Sequence, residues 1–99
     1  MTPAGRFVVP PDHPSLPGHF PGRPLVPGVV LLDEVSALLS ARHPGWRLLG
    51  LLRVKFTHPV LPGDAVEVEA GPPSGGRVAF QCRAHGRDVL GGVAVMGPG

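Results

Sequence analysis

Apolar and polar residues change their period along this chain. From Val29 to Arg42 the apolar residues fall at 29–32, 35, 37–39 and 41, covering nearly the whole circumference of a helix. The pattern predicts a helix over Val29–Arg42 that is buried on most sides. Its polar exceptions, Asp33, Ser36 and Ser40, stand at i, i+3 and i+7 and make one narrow stripe. Arg42 and His43 suit the negative end of the helix dipole, and Pro44-Gly45 stop it. Period two then takes over. Arg47–His58 alternates in its later part, with Val54 and Phe56 inward against Arg53, Lys55 and Thr57. In Ala65–Ala70, Val66 and Val68 point in and Glu67 and Glu69 out. Val78–Ala84 and Asp88–Met96 predict two more strands, joined at His85-Gly86-Arg87. Pro59–Asp64 and Pro72–Gly76 carry turn signals. Ahead of the helix, Arg6–Val9 is a short strand candidate, stopped by Pro10 and Pro11.

This order (short strand, proline-rich loop, helix, four strands) predicts an α+β fold. An antiparallel meander wraps about one long central helix, as one domain over residues 1–99. Such a layer leaves a sheet edge and an open mouth, and pairing two chains closes both. Composition adds little but exclusions. The chain is 42% hydrophobic against 16% charged, too apolar for disorder. Its net charge of +2 comes from scattered basic residues, which gives no nucleic-acid surface. The lone Cys82 makes neither a disulfide nor a metal motif and reads as a small core residue. Of the five histidines no two have H-x-x-x-H spacing, so no metal is expected. His13, His43, His58 and His85 read as polar surface. The N-terminus has no signal-peptide pattern, and the apolar run Val29–Leu32 is far too short to span a bilayer. A cytoplasmic setting is expected.

The chemistry concentrates in "GHFPGRPLVPGVVLLDEV", residues 18–35. A histidine, His19, precedes a run of helix breakers. A glycine, Gly28, opens the helix, and Asp33 and Glu34 stand inside its apolar run. The pattern His19-Phe20-Pro21-Gly22-x-Pro24-x-x-Pro27-Gly28-x-x-x-x-Asp33 closely resembles the signature of the hotdog-fold 3-hydroxyacyl-[acyl carrier protein] dehydratases. A second block, Val54-x-Phe56-x-x-Pro59-Val60-x-Pro62-Gly63-Asp64, is similar to that family's strand-and-turn motif. Together they extend the resemblance from about Val8 to Met96. Two departures stand out. The N-terminal segment is shorter than the family's usual one. The acid is aspartate, as in the branch that also isomerises the double bond, where the larger branch has glutamate. The compact form looks more like the dehydratases of aryl-polyene-type pathways.

Dehydrating a 3-hydroxyacyl thioester needs a base for the C2 proton, an acid for the leaving C3 oxygen and donors for the thioester carbonyl. A neutral imidazole, His19, suits the base. Asp33, desolvated among Val29, Val30 and Ala37, suits the acid, because apolar surroundings favour a protonated carboxyl. Gly28 offers a backbone N–H without an intrahelical partner and no Cβ to block approach. The resemblance assigns these same roles to His19, Asp33 and Gly28, with the histidine and the acid meeting across a dimer interface. Phe20, Pro27 and Val29 flank them as expected substrate-binding positions, and Glu34 points about 100° away as a rim acid. The implied partner is an acyl carrier protein with a phosphopantetheine-linked substrate. Arg23, Arg47, Arg53 and Arg87 are candidates to attract it. No cofactor is implied. The product is a trans-2-enoyl thioester. A non-catalytic hotdog subunit that binds acyl chains or pairs with a partner dehydratase is one alternative, and an acyl thioesterase is another.

Overall fold

A computed structural model describes residues 1–13 and 25–99 of the chain. Helix α1 runs over Gly28–Arg42 after β1, Thr2–Val8. Pro27 is its N-cap, with φ −59° already close to helical and no side chain capping the free N–H groups. At the other end the His43 N–H donates to the carbonyls of Leu39 and Ser40. Gly45, with φ +85°, then turns the chain. Arg42 reaches back to the Pro3 carbonyl at 2.9 Å and ties the end of the helix to β1.

Four strands follow: β2 over Trp46–Phe56, β3 over Ala65–Ala70, β4 over Arg77–Ala84 and β5 over Arg87–Pro98. They and β1 form one antiparallel sheet in the order β1-β3-β4-β5-β2. Only β3, β4 and β5 make a meander. The expected β2–β3 neighbourhood is wrong: β2 pairs with β5, at the opposite edge from β1. Pro59 and Pro62 supply no N–H to a strand ladder, so the segment between β2 and β3 travels as a crossover instead of closing a hairpin. The helix backbone comes closest to the two edge strands, β1 and β2, as a sheet curled about the helix requires.

Element boundaries also moved where pairing outweighed local pattern. β1 starts at Thr2, four residues before the sequence signal, because it pairs with β3 from Thr2↔Ala70 to Val8↔Ala65. Gly5 sits at the register shift of that pair with φ +145°, and a Cβ there would lie 2.8 Å from Leu38 Cδ2. In β2 the alternation breaks between Leu52 and Lys55, where Arg53 takes φ +54°. The shift leaves Val54 half-buried and Phe56 exposed, although Phe56 was expected inward.

The core lies between the sheet and one face of α1. Val30, Leu31, Val35 and Leu39 of the helix meet Val66, Val68, Val78, Phe80, Cys82 and Leu90 of the strands. Cys82 is fully buried, and desolvation pushes its thiol pKa up to about 12, so it packs as a small apolar group. The opposite helix face is open: Val29, Asp33, Ala37 and Ala41, spaced i, i+4, i+8 and i+12, are all exposed. The helix is therefore not buried on most sides within one chain. A single sheet covers one face of a helix, and the sequence is apolar on both.

Phe80 fills the middle of this core with only 1% of its surface exposed. Phe80→Ala is expected to cost about 3–5 kcal/mol. Urea denaturation checks it, as a lowered midpoint with an unchanged slope.

Candidate functional site

The start of α1 and the crossover after β2 are built against each other. The Val26 N–H donates to the Val60 carbonyl at 2.8 Å, and the Gly63 N–H donates to the Val9 carbonyl at 2.8 Å. Leu61-Pro62-Gly63-Asp64 is a tight turn. Proline supplies the fixed φ and Gly63 the φ of +90°, while Asp64 N–H donates to the Leu61 carbonyl at 3.0 Å. The Asp64 carboxylate in turn accepts from Leu61 N–H at 2.9 Å and from the His85 ring at 2.9 Å. His85 is held out by the β4–β5 hairpin, where its own φ of +53° is followed by Gly86 at +73°. The hydrogen bond from His85, with that from Leu61, holds the Asp64 carboxyl below its usual range despite some desolvation.

Between helix and crossover lies a cavity of about 410 Å³. Leu25, Val26, Pro27, Gly28 and Leu31 form one wall, and Phe56 through Val60 form the other. The walls are mainly apolar. Two polar features break them. One is the helix N-terminus: no acceptor for the Gly28 N–H is found among the described residues. The Phe56 ring lies directly over this glycine, and a Cβ on Gly28 would come within 2.7 Å of Phe56 Cζ. The other is His58. Thr57 Oγ1 and His58 Nδ1 both donate to the Asp88 carbonyl, at 2.7 and 2.9 Å. A carbonyl only accepts, so Nδ1 carries the proton and a neutral His58 ring presents its lone pair at Nε2.

The expected site residues separate into three groups. Gly28 and Pro27 line the cavity. His19 and Phe20 lie outside the described residues, as does Arg23. Asp33 and Val29 are in neither group: both are on the open face of α1, with Val29 65% exposed, and neither lines the cavity. The desolvation expected for Asp33 is not found: the residue is exposed, and no described element covers that face. Asp33 stands five residues after Gly28, about 140° around the helix. Glu34 is half-buried, and Arg47, Arg53 and Arg87 are exposed. His58, expected as polar surface, is exposed, and it also lines the cavity; its place inside the second motif, between Phe56 and Pro59, is the sequence signal for that second feature.

This fold and site define a class. Residues 2–93 match the ApeI-like family, described as ApeI dehydratase, and the chain belongs to that family. The 3-hydroxyacyl-[acyl-carrier-protein] dehydratase FabZ of Thermomicrobium roseum is 36% identical over 66 residues, which is 59% of this chain and 44% of that protein. The FabZ of Klebsiella pneumoniae is 29% identical over 107 aligned positions, 93% of this chain and 66% of that protein. The chain thus spans from under half to about two thirds of these relatives' length. Among solved structures, the dehydratase heterocomplex ApeI:P from Xenorhabdus doucetiae superposes with a TM-score of 0.76 at 25% identity, over 92% of this chain and 82% of that one. An uncharacterized protein from Erwinia carotovora subsp. atroseptica gives 0.80 at 25% identity, over 98% and 95%. The fold is the hotdog fold. A mutant of the fluoroacetyl-CoA-specific thioesterase FlK, at 18% identity and a TM-score of 0.63 over 95% of this chain and 83% of that one, shares the fold alone. Among the described residues no helix is long and apolar enough to cross a membrane.

Asp64 gives the crossover a pH dependence. A carboxyl whose folded pKa is depressed stabilises the fold above its unfolded value of 3.8, and that contribution is lost as pH falls through the folded value. Asp64→Asn should therefore lower stability near about pH 6, and the gap to wild type should narrow in acid below the carboxylate range. Urea midpoints of the two proteins across that span check it.

Proposed function

We propose that this chain catalyses dehydration of (3R)-3-hydroxyacyl thioesters carried on acyl carrier protein to trans-2-enoyl thioesters. Membership of the dehydratase family supports the reaction class. The observation that carries the site is the Gly28 N–H at the head of a helix, without an acceptor among the described residues, in a mainly apolar cavity of about 410 Å³. There the thioester oxygen accepts from Gly28 as charge develops on it. His19 removes the C2 proton. The electron pair forms the C2–C3 double bond as the C3–O bond breaks, and Asp33 protonates the leaving hydroxyl to give water.

Asp33 cannot serve the cavity of its own chain from the far side of α1, so the acid comes from a second chain. That chain also covers Val29 and Ala37 and desolvates Asp33, which favours the protonated carboxyl the step needs. Pro27 lines the cavity, and substrate binding is assigned to Phe20 and Val29 as well. Exposed arginines give the acidic carrier a place to approach. The second chain is another copy or a different hotdog protein. The likeness to one member of a dehydratase heterocomplex favours keeping the second option. In that arrangement this chain is the subunit that lends residues to its partner's site. A polyene-type acyl chain is the substrate favoured by the resemblance of the sequence to dehydratases of aryl-polyene-type pathways.

His19→Ala and Asp33→Asn are each expected to lower enoyl formation about a hundredfold or more in a protein that remains a dimer. Mixing and refolding the two variants should then restore about a quarter of the wild-type rate, since about half of random dimers are mixed and each keeps one intact site. Full activity of either single variant, or no recovery on mixing, rejects the shared site. Wild-type protein that turns over only after a second hotdog protein is added identifies the heterodimer. Release of free thiol without enoyl product identifies a thioesterase.

A further inference from the structure

His58 is the one histidine of the described cavity, and the dehydration scheme above gives it no task. Its ring is held more firmly than exposure alone would suggest. Pro59 stiffens the backbone beside it, and Thr57 N–H donates to the Val89 carbonyl at 2.9 Å. Thr57 Oγ1 shares the Asp88 carbonyl with His58 Nδ1. This anchoring leaves the neutral imidazole a single free function, the Nε2 acceptor. Nε2 has no protein partner among the described residues. Apart from Thr57, whose hydroxyl donates to the Asp88 carbonyl, the side chains of the rest of the wall are apolar: Leu25, Val26, Leu31, Phe56, Pro59 and Val60 offer no acceptor. A ligand that brings an N–H or O–H into this cavity finds an acceptor only at His58 Nε2, at the Thr57 hydroxyl already engaged with the Asp88 carbonyl, or at a backbone carbonyl.

We propose that His58 is a substrate-binding residue whose Nε2 accepts a hydrogen bond from a polar hydrogen of the thioester substrate. The proposal rests on the dehydratase reading. Two groups of a 3-hydroxyacyl pantetheine thioester carry that chemistry, the amide N–H of the arm and the 3-hydroxyl. Either one, seated on His58 while the thioester oxygen sits on Gly28 N–H, fixes the substrate at two points. A second depression, of about 250 Å³, shares His58 and Pro59 with the first and is lined by His85, Arg87 and Asp64. The imidazole thus stands on the wall shared by the two depressions, the second of which also carries the charged groups Asp64 and Arg87.

The test compares wild type with His58→Phe, which keeps a ring but no acceptor, and with His58→Gln, whose Oε1 restores one. Each is assayed on a 3-hydroxyacyl pantetheine thioester and on the same acyl group as an amide-free alkyl thioester. His58→Phe should raise KM about tenfold with kcat within about twofold, the size of one lost hydrogen bond, and His58→Gln should recover most of the loss. An effect confined to the pantetheine substrate identifies the arm amide, and an effect on both identifies the 3-hydroxyl. Unchanged KM on both substrates overturns the proposal. So does a His58→Gln protein as impaired as His58→Phe while melting like wild type. A fall in kcat of about a hundredfold at constant KM also overturns it, since that marks a general base. If wild type forms no enoyl product, alone or with a second hotdog protein, the dehydratase reading fails by itself. Calorimetric binding of the pantetheine thioester then decides His58: about tenfold weaker binding by His58→Phe supports it, and equal affinity rejects it.

Discussion

The hydrogen bond from Val26 N–H to the Val60 carbonyl, 2.8 Å long, joins the two sequence blocks that carry the chemistry. Val26 and Val60 are both buried. Their pairing sets the distance between the first turn of α1 and the crossover, and so creates the cavity between them. Everything that faces a ligand there depends on it. Gly28 follows Val26 by two residues, and His58 precedes Val60 by two. Prolines at 27, 59 and 62 reduce the freedom of both segments before they meet, so the entropy lost on joining them is smaller than for ordinary loops.

The crossover is fastened at its far end as well. Asp64 holds His85 at the β4–β5 hairpin, and the Asp88 carbonyl holds Thr57 and His58. These contacts are exposed and individually worth little to global stability. Their effect is geometric: they keep a segment without strand partners in one path across the sheet ends. The buried apolar face beneath supplies the stabilising free energy, through Phe80, Leu39 and Leu90.

Much of this architecture was legible in the sequence, for reasons that differ from element to element. The helix was found within one residue because its apolar density and its stops at Pro44-Gly45 are local signals. Ala65–Ala70 was found without error because Val66 and Val68 alternate with glutamates on a half-buried face. What failed was non-local. Nothing in the local pattern of β2 says that it pairs with β5, and only the whole sheet decides that. The inward reading of Phe56 failed because alternation assumes an unbroken register, and Arg53 breaks it. At the candidate site, Gly28 and Pro27 line the cavity from the helix start, a place that local signals give, whereas the hydrogen bond of His58 to the Asp88 carbonyl, thirty residues away, leaves no local signal.

The open helix face joins these observations. A sequence that spends Val29 and Ala37 on one side of α1 and Val30, Val35 and Leu39 on the other has apolar residues for two covers, while its sheet provides one. In so small a domain that surplus is costly unless another surface takes it. Asp33 sits in the middle of the uncovered stripe. As a solvated carboxylate it is an ordinary surface residue with no chemistry to perform. Once a second chain covers Val29 and Ala37, the same carboxyl is flanked by apolar groups and displaced from water. Under the proposed mechanism, assembly and acid strength are then one event, and the exposed Asp33 of the single chain is the placement that a site shared between chains requires.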